Sequence, residues 1–173
     1  MAVKYKNNDR RMYIFLAVSS LIVFLLSASV MPFSMKPTAD LMLCFVVVIP
    51  CFASKKAAYV TAVLLGFFAD LFINAPTCFS PVVYLACTAI VPLFHRYFAR
   101  MRFTTAAVCA IPSIALRALV GTVTLMASFK GATLSSVLTR VILPEMVINF
   151  AFTLVCAFVC IFVVEKFRIN RAL

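Results

Sequence analysis

PTADLMLCFVVVIPCFASKKAAYVTAVLLGFFADLFI, residues 37–73, decides the fold. Two apolar runs flank one short basic turn, Ser54-Lys55-Lys56. Neither run alternates apolar and polar residues as a half-buried strand would. Each is long enough for a buried or membrane-crossing helix, and a two-lysine turn between such helices is typical of a membrane hairpin. The same unit recurs outward in both directions. Apolar runs cover about Met12–Met31, Pro37–Ala53, Ala57–Ile73, Phe79–Phe94, Phe103–Met126 and Arg140–Val164, with short polar or basic joints between them.

The whole composition agrees with that stretch. Of 173 residues, 65% are hydrophobic and 12% charged, and the mean hydropathy is +1.13. Soluble domains hold about 45–50% apolar and about 25% charged residues. A soluble globular domain, a disordered tail and a disulfide scaffold are therefore excluded. At ~20 residues per crossing, six spans use most of the chain. The expected fold is an all-α polytopic membrane protein, residues 1–173 forming one six-helix bundle without a second, water-soluble domain. Runs two and three are short and joined tightly, so tilt or irregularity is expected there.

The net charge of +11 is arranged for orientation. Lys4, Lys6, Arg10, Arg11, Lys55, Lys56, Arg96, Arg100, Arg102, Lys166, Arg168 and Arg171 all fall on one side of a six-span layout. Only Lys36 and Lys130 fall on the other. Cationic loops stay in the cytoplasm, so residues 1–11 and 165–173 are expected as short basic cytoplasmic ends. Tyr13, Tyr59 and Tyr97 sit at the same boundary as interfacial anchors. A nucleic-acid face would need a contiguous basic stripe instead. An uncleaved first span is preferred over a signal peptide ending at Ser27-Ala28-Ser29, because the apolar stretch is long and cleavage would leave an odd number of spans.

Small and polar residues recur at helical spacing. Ala58, Ala62, Gly66 and Asp70 form one stripe; Ala110, Ser113, Arg117, Gly121 and Thr124 a second; Glu145, Asn149, Thr153, Cys156 and Cys160 a third. Small residues let helices approach closely in lipid, so these faces are expected inward or toward a partner. Five ionisable residues, Asp40, Asp70, Arg117, Arg140 and Glu145, lie in the apolar runs, where a charge costs about 2.5–3.5 kcal/mol unless partnered. Counting 1.5 Å per residue from the basic turns puts all five in the outer half of the bilayer. The expectation is a polar cluster with Arg117 bridging Asp70 or Glu145, structural or open to a ligand or partner. Pro144 is expected to kink the sixth run there; Pro50, Pro92 and Pro112 give similar local bends.

Site chemistry beyond that is sparse. Six of the seven cysteines lie in apolar runs and read as buried packers, while Cys78 lies in an outer turn. No metal, cofactor or catalytic site is expected: His95 is the lone histidine, far from the acids, and three glycines build no phosphate loop. A proton relay through Asp70 and Glu145 is the nearest approach to catalysis.

The order of Lys36-Pro37, the turn Lys55-Lys56, Gly66-x-x-x-Asp70, a polar turn with Pro76, then Ser80 and Tyr84, and finally Leu143-Pro144 with Asn149 resembles the MreD family of rod shape-determining proteins over roughly residues 30–165. Lys36 stands where Arg is usual, Cys78 or a neighbour stands where glycine commonly follows the proline turn, and Glu145 beside the proline is unusual. The resemblance implies a non-enzymatic scaffold in the bacterial inner membrane, serving cell elongation and peptidoglycan synthesis. Its implied partners are an MreC-like single-span protein, with RodA, a class B penicillin-binding protein and MreB nearby. It also implies a fold similar to the substrate-binding subunits of energy-coupling-factor vitamin transporters, which makes such a subunit, with an outward pocket, the alternative.

Overall fold

The computed structural model describes residues 2–30, 40–73, 79–98, 102–128 and 134–166. All regular structure among the described residues is helical. The helices are α1 (Ala2–Val30), α2 (Leu41–Val48), α3 (Lys55–Ile73), α4 (Phe79–Phe98), α5 (Arg102–Ser128), α6 (Leu134–Val137) and α7 (Leu143–Lys166). Helices α1 to α5 and α7 overlap the six apolar runs, while α6 precedes the run expected from Arg140. Stretches Arg10–Ser29, Phe103–Thr124 and Ser135–Lys166 are long and apolar enough to cross a membrane. Lys36-Pro37, Pro76, Cys78, Lys130, Arg100, Arg168 and Arg171 lie outside the described residues.

The centre of the bundle is α2. Every residue from Met42 to Ile49 is buried, and α2 touches α1, α3, α4, α5 and α7. A helix apolar on all sides is stable only when covered on all sides, and Leu-Met-Leu-Cys-Phe-Val-Val-Val leaves no polar face to expose. This run is far shorter than the span expected over Pro37–Ala53. Asp40 caps its N-terminus, accepting from the Leu43 N–H at 3.0 Å, as aspartate does for an orphan first-turn donor. A 3₁₀ turn, Ile49–Cys51, ends it, with Pro50 in its first positions, where the missing N–H costs nothing.

Around this axis, α3 and α4 make the most extensive helix pairing. Ala58, Ala62 and Gly66 are buried, so the α3 stripe turns inward. A Cβ on Gly66 would lie 2.4 Å from Pro81 Cα and 2.6 Å from Pro81 N. Glycine is thus required by the closeness of the α4 backbone. The first helix is peripheral, packing on α2 and α3 alone among the described helices.

Between α6 and α7 runs a π-helical turn, Leu138–Ile142, closed by the Leu143 N–H on the Leu138 carbonyl. Pro144 has no N–H to give the carbonyl four residues back, and its ring crowds that carbonyl. The wider turn relieves both, so the bend expected at Pro144 takes the form of a π-bulge.

Candidate functional site

Four helices bring their polar side chains to one point, the N-terminus of α2. Asp40 lies 12 residues before Phe52, about 18 Å along the helix axis from the basic turn. Tyr84 comes from α4, Arg117 from α5 and Asn149 from α7. Tyr84 O–H donates to both carboxylate oxygens of Asp40, at 2.7 and 2.9 Å. Arg117 Nε approaches Asp40 Oδ2 at 3.4 Å. That contact is an ion pair without an aligned hydrogen bond from Nε.

The backbone of Asp40 is held as firmly as its side chain. Its N–H donates to Asn149 Oδ1 at 2.7 Å, and its carbonyl accepts from the Cys44 N–H at 3.1 Å. The Cys44 thiol donates to the Asn149 carbonyl at 3.3 Å, and Thr153 Oγ1 donates to the same carbonyl at 2.7 Å. Every polar atom of Asp40 therefore has a partner within the chain. Tyr84 and Asn149 are fully buried, while the Asp40 and Arg117 side chains keep 15% and 23% of their exposure. Buried polar groups are tolerated when satisfied in this way.

The pairing differs from the sequence expectation. Arg117 makes its ion pair with Asp40, not Asp70. Asp70 serves elsewhere: both its oxygens accept from the Ser80 N–H at 3.3 Å, which caps α4 across the joint. Arg140 is exposed on the π-turn, and Pro144 and Glu145 are half-buried. The five ionisable residues thus divide into an Asp40–Arg117 centre, an Asp70 cap, a half-buried Glu145 at the start of α7, and an outlying Arg140.

The α5 stripe turns inward for part of its length. Ala110 and Ser113 are buried, Arg117 and Gly121 half-buried, and Thr124 exposed. Nothing approaches within 4 Å of a Cβ placed on Gly121. On α7, Asn149, Thr153 and Cys160 are buried, and Cys156 contacts Cys160 at 4.0 Å between sulfurs. The cysteines at 44, 51, 87, 109, 156 and 160 are free thiols.

Two members of the centre carried no site role in the sequence. Tyr84 entered only through the family pattern, and Cys44 only as a packer. The available signal for Tyr84 was its place as the one aromatic hydroxyl inside the run Phe79–Phe94. A phenol in an apolar helix needs a partner.

Chemically, the arrangement is a closed clamp. It joins the start of the central helix to three surrounding helices through one residue: α4 and α5 meet the Asp40 carboxylate, and α7 takes its backbone N–H. Compared with protein families, curated proteins and solved structures, the chain matches none.

Proposed function

We propose that this chain is a multi-pass protein of the bacterial inner membrane, with six spans and both termini cytoplasmic. It acts as a non-enzymatic scaffold of the cell-elongation machinery and binds an MreC-like single-span partner. RodA, a class B penicillin-binding protein and MreB complete the assembly. The basic residues, gathered on one side of a six-run layout, support this orientation.

One observation carries the reading. Five of the residues that bear the MreD resemblance make inter-helix contacts: Gly66 lies against Pro81, Asp70 holds Ser80, and Tyr84 and Asn149 both hold Asp40. A shared pattern in these positions is a pattern of how the bundle is locked. The occupied clamp also favours a scaffold over a solute-binding subunit, since Asp40 has no polar atom left to offer a ligand.

Affinity purification of the tagged full chain in mild detergent tests the proposal. Recovery of an MreC-like protein, with loss of rod shape when the chain is depleted, is the expected result. Recovery of an energy-coupling module with a bound vitamin-like solute would replace the scaffold by the transporter subunit.

A further inference from the structure

Away from the clamp, α1 and α3 enclose a lateral slot of about 500 Å³. The two helices run in the same direction, since Phe15 pairs with Phe52, three residues before α3, at one end, with ring centroids 5.8 Å apart, and Phe24 with Phe68 at the other, at 4.9 Å. Tyr13 and Lys56 line its mouth, Leu21 and Leu64 its walls, and Phe24 and Phe68 its far end. The slot is therefore mostly apolar, with Ser20 and Thr61 the aliphatic hydroxyl residues of its lining, cationic at one end and flanked by two rings at the other.

We infer that this slot holds one acyl chain of an anionic phospholipid, with the lipid phosphate at Lys56. Length and charge argue for this occupant. From Tyr13 to Phe24 is 11 residues, about 16 Å of helix. That matches one leaflet, half of a hydrocarbon core of ~30 Å. A partner's spanning helix would need twice the length and would meet the Phe24–Phe68 pair. Arg10, Arg11, Lys55 and Lys56 are all exposed at the mouth end, and cations at a membrane surface draw anionic headgroups. The first helix, held by α2 and α3 alone, gains a third surface from the lipid. The inference rests on the membrane-spanning part of the proposed function and not on the identity of any protein partner.

The test is native mass spectrometry of the full chain in mild detergent, with added phosphatidylglycerol or phosphatidylcholine. One phosphatidylglycerol should be retained in preference to phosphatidylcholine. Lys56→Ala should weaken its retention about fivefold, the effect of one surface cation on an anionic lipid. Ala17→Phe, which fills the slot from an exposed position on α1, should abolish retention of the lipid. Lys166→Ala, on α7, should leave it unchanged and serves as the control for bulk charge. Equal retention of the two lipids, or equal loss in Lys56→Ala and Lys166→Ala, would overturn the inference. A chain that leaves the membrane without detergent would instead remove the reading on which it rests.

Discussion

Gly66→Ala and Gly121→Ala are the same chemical change on two helices, yet they are expected to act in opposite directions. At Gly66 the new methyl would sit 2.4 Å from Pro81 Cα, whereas ordinary contact begins at 3.4 Å, so α3 and α4 must part by about 1 Å. The obstructing atoms are backbone, so no rotamer change can relieve them. Overpacking of this kind costs about 1–3 kcal/mol, offset by up to about 1 kcal/mol from the better helix propensity of alanine. The net loss is about 1 kcal/mol. At Gly121 the methyl meets nothing within 4 Å, so only the propensity gain remains. The two variants should differ by about 2 kcal/mol, or about 4–8 °C in melting temperature for a chain of this size. Heating detergent-solubilised protein and following the monodisperse fraction by size-exclusion chromatography measures this. If Gly66→Ala melted at or above Gly121→Ala, the close approach of α3 to α4 would be wrong.

Breaking the clamp gives further expectations. Arg117→Ala leaves Asp40 partly buried without its cation and should cost about 3–5 kcal/mol, while Arg140→Ala, on an exposed side chain, should stay within about 0.5 kcal/mol; thermal melts of the two decide it. Combining Arg117→Ala with Asp40→Ala should cost less than the sum of the single changes, and additive losses in a double-mutant cycle would dissolve the pair. Tyr84→Phe removes one hydrogen bond to a carboxylate and should cost about 1.5–3 kcal/mol, visible in the same melts. For the orientation, thiol labelling of Cys78 from the outside, with a cysteine added at the C-terminus reached only from the cytoplasm, is expected; both labelled from one face would overturn the six-span layout.

Much of the architecture was legible in the residues. Apolar runs separated by basic or polar joints predict the helices because no polar spacing competes with the 3.6-residue reading. The ends of α3, α4 and α5 fall within two to four residues of the expected limits. The inward turn of Ala58, Ala62 and Gly66 was legible too, since small residues in a row have one common use in lipid. The middle helix was not. Its sequence Leu41–Val48 is as apolar as a lipid-facing segment, and only the surrounding helices show that it is enclosed.

The clamp was legible in kind and not in pairing. That Arg117 needs an acid follows from the cost of its charge. Which acid it takes depends on the rotation of α5 against α2, and sequence spacing within single helices does not fix that. Asp70 misled for a related reason. Depth alone placed it level with Arg117, but the close packing of α3 on α4 sets it against the Ser80 N–H.

The enclosed position of α2 bears on how the protein is made. On the proposed six-span layout Asp40 enters the bilayer early, yet the Asn149 that receives its N–H comes 109 residues later. At translation rates of about 5–20 residues per second, that interval is roughly 5–20 s. Until Arg117 follows, a carboxylate worth about 2.5–3.5 kcal/mol against insertion lacks its cation, and the Asp40 N–H lacks its acceptor until Asn149 arrives. The nascent hairpin must therefore linger beside the insertion machinery, or borrow a temporary neighbour, until the last helix emerges. A substitution at Asn149 is then a defect of assembly before it is a defect of the finished molecule.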